Sequence, residues 1–155
     1  MGQRERRYVE GFYRRYTGRV AICVGYSQEM AELFPFVLED GRGKALGIIA
    51  MAALTNEEMS TVHIFHFSAF RQWRGDGSKM MKHLCQAADR LSIILSLSPI
   101  PSPNGNDRLL DHQQLIAWYR KYGFKGESLL CRPPLTIGST DEHPVGNHRG
   151  KPSVR

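Results

Sequence analysis

Tyr8, Val9, Phe12, Tyr13 and Tyr16 recur at one, three and four residues, a spacing that predicts a helix over residues 4–16 with one aromatic face. Arg4, Arg6, Arg7, Arg14 and Arg15 fall mostly on the rest of that wheel, so the helix is basic outside and aromatic inside. Residues 20–26 (VAICVGY) read either as a short strand or as the lead into a second helix. FPFVLE, the turn DGRG at 40–43 and KALGIIAMAAL, together spanning 34–54, form an expected hairpin. A polar turn over 56–60 precedes a third strand, TVHIFHFSAF, at 61–70. A loop ending in Gly75 and Gly77 leads into a helix over 77–91. Its expected buried stripe is Met80, Met81, Leu84, Cys85, Ala88 and Leu91, with Lys79, Lys82, Gln86, Asp89 and Arg90 toward water. SIILSL (92–97) is a short buried strand, and the Pro/Gly/Asn-rich run at 99–107 is a loop. Asp111 with Gln114 three residues on predicts a capping box, opening a helix through Leu115, Ile116, Tyr119 and Tyr122 that Gly123 stops. ESLLC (127–131) is the last expected strand. Alternating helices and strands place the chain in the α/β (α+β) class with a mixed sheet.

Composition narrows this picture. A chain of 155 residues suits one core. We expect a single domain over 1–132 and a flexible basic tail over 133–155, where four prolines and three glycines interrupt scattered charge. No apolar run is long enough to span a membrane. The N-terminus is charged from its fourth residue and lacks an apolar leader core, so it does not read as a secretory signal, and the unpaired cysteine pattern makes the cytoplasm the expected compartment. Cys23, Cys85 and Cys131 are too far apart for a metal site and odd in number for a disulfide framework. His63 and His66 lack a third ligand at sensible spacing, so no metal is expected. The net charge of +6 is compatible with a polyanion as partner or cofactor, whether nucleic acid, an anionic membrane or a phosphate-rich cofactor, and equally with ordinary solubility.

The chemistry concentrates where the third strand meets the following helix, at Gln72-Trp73-Arg74-Gly75-Asp76-Gly77-Ser78. Glycines there let the backbone approach a ligand, and the first amides of the helix point outward as an anion site. Arg74 and Lys79 add charge. Gln72-x-x-Gly75-x-Gly77 resembles the acyl-CoA pyrophosphate loop, Q/R-x-x-G-x-G/A, of the GNAT superfamily of N-acetyltransferases. About 45 residues on, Trp118-Tyr119-Arg120-Lys121-Tyr122-Gly123-Phe124 is similar to that family's late helix, which ends aromatic-Tyr-x-x-x-Gly-Phe. The ordered pair of motifs is the specific signal.

The resemblance, which covers roughly residues 34–131, implies a mostly antiparallel sheet flanked by helices with an acyl-CoA slot between two splayed strands. It implies that Phe67, Ser68 and Ala69 lend backbone groups to the pantetheine, and that residues 72–78 hold the pyrophosphate of acetyl-CoA. It also implies Tyr119 as the general acid that protonates the departing thiolate. An amine acceptor needs a base to remove its proton before attack. His63, nine residues before Gln72, resembles the catalytic His of arylalkylamine N-acetyltransferases, with His66, Glu57 and Glu58 as alternatives. Strict strand alternation puts His63, Phe65 and Phe67 on one face and His66 on the other, unless the β-bulge common in the family's strand exchanges them. The sequence departs from the family at Trp73, where Gly is frequent, at Ala69, where Pro is common, and at His112, where Asn is.

The expected activity is acetyl transfer from acetyl-CoA to a primary amine by direct attack, with the protein a monomer or homodimer. The alternative is a GNAT-like protein whose N-terminal Arg cluster binds nucleic acid or another acidic partner, with weak or altered acyl transfer. Residues 1–20 hold six Arg and two Glu, so much of the positive excess lies away from the proposed cofactor loop in sequence.

Overall fold

The aromatic repeat of the N-terminal segment folds as α1 (Gln3–Arg15), with Tyr8, Val9 and Phe12 buried and Arg14 and Arg15 at its C-terminal end, where cations suit the helix dipole. The computed structural model describes residues 2–18, 35–54, 61–101 and 110–135. The segment 20–26, Glu57, Glu58, Cys23, most of the 99–110 loop and nearly all of the expected tail lie outside the described residues. The hairpin is β1 (Phe36–Glu39) and β2 (Ala45–Leu54). Its turn is held by the Asp40 carboxylate, which accepts the backbone N–H of Arg42 at 2.8 Å and of Lys44 at 3.0 Å. β3 (Thr61–Ala69), α2 (Asp76–Leu91), β4 (Ile94–Leu97), α3 (His112–Arg120) and β5 (Leu130–Arg132) follow.

The five strands lie in chain order, and only β3 and β4 run parallel. This is the mixed, mostly antiparallel sheet flanked by helices that the sequence predicts. Cross-strand partners put Phe36, Leu38, Ile49, Met51, Val62, Ile64, Leu95 and Leu97 on one face, where α1 and α2 pack. Phe36 anchors α1 there, its ring 4.8 Å from Tyr13, 5.8 Å from Tyr16 and 6.1 Å from Phe12. Tyr8 ties the two helices together by donating its hydroxyl to the Leu84 carbonyl at 3.0 Å.

Close approach of α2 to the sheet depends on Gly47. A Cβ at that position would strike the Ser68 carbonyl oxygen and lie 2.7 Å from Met80. Gly47→Ala therefore lowers unfolding free energy by about 1–3 kcal/mol, the usual cost of overpacking. It should appear as a lower urea midpoint at unchanged slope, and an unchanged midpoint would show that both the Ser68 carbonyl and α2 give way freely.

Two expectations are corrected. The last strand is Leu130–Arg132 rather than 127–131, because Leu130 and Arg132 are the residues that pair with Leu97 and Leu95. Asp89 does not face water. Its carboxylate receives both terminal nitrogens of Arg132, at 2.8 and 2.9 Å, and the backbone N–H of Leu135 at 2.8 Å. Arg132 also donates Nε–H to the Tyr122 carbonyl at 2.7 Å, so one side chain joins β5, α2 and the end of α3.

Candidate active site

β3 creates the site by leaving its partner. It pairs with β4 only from Thr61 to Ile64, opposite Ile94 to Leu97. Pro99 and Pro101 follow β4, and proline has no N–H to continue a ladder. From Phe65 to Ala69 the edge of β3 that would meet β4 has no strand partner among the described residues, as two splayed strands require. Phe67, Ser68 and Ala69, which the motif comparison assigns to the pantetheine, lie on this length.

A bulge at Phe65 sets what faces where. Ala50 pairs with His66 and the next residue, Met51, pairs with Ile64, so Phe65 is the extra residue. His63 and His66 consequently share the face opposite the main core, through Ala52 and Ala50, while Phe67 moves to the core face beside Ile49. Strict alternation gives the wrong faces here. Nδ1 of His63 lies 3.0 Å from Ser96 Oγ, and its ring meets Phe65 edge-on at 4.6 Å. Nε2 of His66 is buried without a hydrogen-bond partner. Burial lowers the pKa of both imidazoles, so both are poised as neutral bases near pH 7.

Past β3 the chain turns through two left-handed residues, Trp73 (φ 60°) and Gly75 (φ 78°). Glycine accepts such a φ without strain, whereas a large aromatic residue seldom does. Gly75 is the N-cap of α2 and offers no side chain to its amides. The first intrahelical bond runs from Lys79 N–H to the Gly75 carbonyl at 3.0 Å, leaving the N–H groups of Asp76, Gly77 and Ser78 without helical acceptors. Three outward amides at a positive helix end form an anion cradle. The Asp76 carboxylate cannot serve a ligand, being buried and bound by Arg71 through Nε at 2.7 Å and Nη2 at 2.9 Å. Only its N–H remains for the cradle. Gln72, Trp73 and Arg74 are exposed around the rim, with Lys79 a turn further along.

The late motif closes over this loop. The capping box of α3 is complete, with Asp111 Oδ1 accepting from Gln114 N–H at 2.8 Å and Gln114 Oε1 accepting from Asp111 N–H at 3.0 Å. The helix so started carries Trp118 to within 5.9 Å of the Phe67 ring, and a Cβ on Gly77 would lie 3.8 Å from Trp118 and 3.7 Å from Ala69. Such contacts would accept alanine at 77, matching the G/A choice of the loop motif. Tyr119 packs on Phe124 at 5.6 Å and on Trp118 at 4.9 Å. Burial pushes its phenol to about 12, and its hydroxyl makes no hydrogen bond to a described residue. Tyr119 and His63 are not in contact: each belongs to its own cluster, one at the end of α3 and one on β3 beside β4.

No family model matches the sequence, and no curated protein matches it. Among solved structures the chain is similar to Tetrahymena GCN5, at 13% identity over 86% of this chain and 88% of that one, with a TM-score of 0.47. It is similar to an acyl-CoA N-acyltransferase from Pseudomonas aeruginosa, at 19% identity over 83% and 87% of the two chains (TM-score 0.45). A GNAT family acetyltransferase from Brucella melitensis, solved in complex with acetyl-CoA, is 20% identical over 90% and 85% (TM-score 0.42). The mixed, mostly antiparallel sheet flanked by helices that the two motifs imply is the sheet present in this chain.

Two contributors escape sequence reading, and so does one contact of a third. Arg71, which neutralises Asp76 beneath the cradle, looks like one more surface arginine. Ser96, which orients His63, lies 33 residues from it and meets it only through the parallel pairing of β3 and β4. Trp118 was visible as part of the late motif, but its contact with Phe67 depends on how α3 docks. Among the described residues no cluster of His, Cys, Asp or Glu could hold a metal, and no helix is long and apolar enough to cross a membrane.

Proposed function

We propose that the protein is an acetyl-CoA-dependent N-acetyltransferase that moves an acetyl group to a primary amine by direct attack in a ternary complex. One observation carries this reading: the two motifs, far apart in sequence, converge where Trp118 of the late helix meets Phe67 and Gly77 beside the open edge of β3. That convergence lays an extended edge and a helix N-terminus end to end, which suits a pantetheine followed by a pyrophosphate.

In this reading the amides of Asp76, Gly77 and Ser78, with those of the preceding loop from Gln72, hold the pyrophosphate. Backbone groups of Phe67, Ser68 and Ala69 hold the pantetheine and align the thioester. His63, with Nδ1 engaged by Ser96, takes the ammonium proton of the acceptor, directly or through water. The freed amine attacks the thioester carbonyl, forming C–N; collapse of the tetrahedral intermediate breaks C–S. Tyr119 gives its proton to the departing thiolate and regains one from solvent, while the acylated nitrogen releases its second proton to solvent and becomes the neutral amide. Direct attack is favoured over an acyl-enzyme because neither motif contains a cysteine, and burial pushes the thiol of Cys85, on the core face of α2, up to about 11.

An amine panel monitored by release of CoA thiol tests this reading. Thiol release that depends on an amine, with acetylated amine recovered, supports it; none with any amine overturns it. The base has its own signature. A base must be deprotonated, and burial lowers the pKa of His63 below its ordinary 6.5. We therefore expect kcat to rise with pH through an apparent pKa below 6.5 and then stay level, a limb that His63→Ala abolishes and His66→Ala leaves in place. The reverse pattern would transfer the role to His66.

A further inference from the structure

The positive charge that the cofactor cradle leaves unused is organised along α1. Arg4, Arg7 and Arg14 stand three and seven residues apart with Gly11 between the last two, so they form one line along the helix. The line is about 15 Å long at 1.5 Å per residue. Together with Arg90, Leu91 and Ser92 at the end of α2, it walls a cleft of 670 Å³. Glu10 is the one acid among the described residues lining this cleft. Its carboxylate is already taken, by Arg6 at 2.7 Å and Arg14 at 3.2 Å. Arg4, Arg7 and Arg90 have no ion pair among the described residues.

This arrangement works against the helix that carries it. Like charges three and four residues apart are mildly destabilising. A glycine inside a helix costs about 1 kcal/mol against alanine. Packing does not require it: a Cβ on Gly11 would meet nothing within 4 Å. Local choices that oppose stability without a packing return mark a surface kept for binding. A bare backbone in the floor of an arginine-lined cleft admits a bulky oxyanion close to the helix.

We propose that this cleft binds the phosphate backbone of a nucleic acid without reading its bases. Arginine forks match phosphate oxygens in pairs, which a lysine-rich face would not do. A line of about 15 Å meets roughly four successive phosphates of one strand at 3.4 Å rise. Base readout by stacking is absent because the aromatic residues Tyr8, Phe12 and Tyr16 are all buried in the core. The site lies on α1 and the C-terminal end of α2, at the opposite end of α2 from the amides that cradle the pyrophosphate.

Fluorescence anisotropy with a labelled random-sequence DNA duplex tests the proposal on the full chain. Binding should weaken steeply with salt, with a log–log slope of about −3 to −4 for three to four phosphates neutralised. Combined Arg4→Gln, Arg7→Gln and Arg90→Gln should weaken it by at least about tenfold at low salt and flatten the slope. Circular dichroism and acetyl-CoA binding of the variant should match the unmodified protein, and a duplex of different sequence should bind equally. The proposal is overturned by absent or salt-insensitive binding, or by a triple variant that binds as before. Displacement of the duplex by acetyl-CoA, or equal competition from polyglutamate or anionic vesicles, would also overturn it.

Discussion

Tyr119→Phe should reduce turnover by roughly 10²–10⁴-fold, the range for loss of a general acid, while leaving acetyl-CoA affinity within about twofold. The substitution removes one oxygen and keeps the ring, so the contacts with Trp118 and Phe124 that seat the end of α3 persist. No hydrogen bond to a described residue is lost, because the hydroxyl makes none. A purely structural Tyr119 would therefore tolerate the change. Burial pushes the phenol to about 12, so it stays protonated throughout the working range and can always donate to a thiolate. No loss of activity on the alkaline side near pH 9 should be traceable to it. Turnover that survives Tyr119→Phe would remove the residue from the mechanism and leave it as core.

The largest effect on stability belongs to Arg132→Met. Arg132 and Asp89 are both nearly sealed from solvent, with side-chain exposures of 4% and 13%. Losing the guanidinium strands the carboxylate in the interior, a change that typically costs about 3–5 kcal/mol. Burial by itself disfavours the ionised Asp89, but Arg132 and the Leu135 N–H outweigh it and hold the carboxyl below its ordinary range. Its folded pKa is thus depressed relative to the unfolded chain. The stability it contributes is present above the unfolded value near 3.9 and is lost as pH falls through the lower folded value. In Arg132→Met only the Leu135 N–H is left to oppose burial, so acid unfolding should begin at higher pH than in the unmodified protein. Urea denaturation reads both effects. Adding Asp89→Leu to Arg132→Met should recover much of the loss, since an apolar pair of similar volume replaces a buried charge. A single variant within about 1 kcal/mol of the unmodified protein would mean that Asp89 finds water or another partner.

These two residues show what periodicity reveals and what it cannot. The helices and long strands were legible because each shows its own buried stripe: Tyr8, Val9 and Phe12 on α1, Met80, Met81 and Leu84 on α2, and the hydrophobic run of β2. The loop at 72–78 was legible because glycine at a strand-to-helix turn has a direct consequence for backbone amides. Asp89 was misplaced because one helix wheel cannot show a partner 43 residues away on β5. The faces of β3 were left open between strict alternation and a bulge for a similar reason, and the bulge is what the strand has. A bulge is a property of two strands, and the alternation of β3 alone carries no sign that Phe65 would be skipped. The Arg71–Asp76 pair spans a loop whose shape depends on Trp73 and Gly75 adopting left-handed angles. Glycine announces that possibility and tryptophan does not.

In the proposed function, the amides at the start of α2 and the edge of β3 beyond Ile64 form one acyl-CoA site. Native mass spectrometry of the purified protein with acetyl-CoA tests it most directly. We expect a one-to-one adduct with the mass of one acetyl-CoA added to the chain, undiminished in Tyr119→Phe. No adduct at millimolar acetyl-CoA would contradict it.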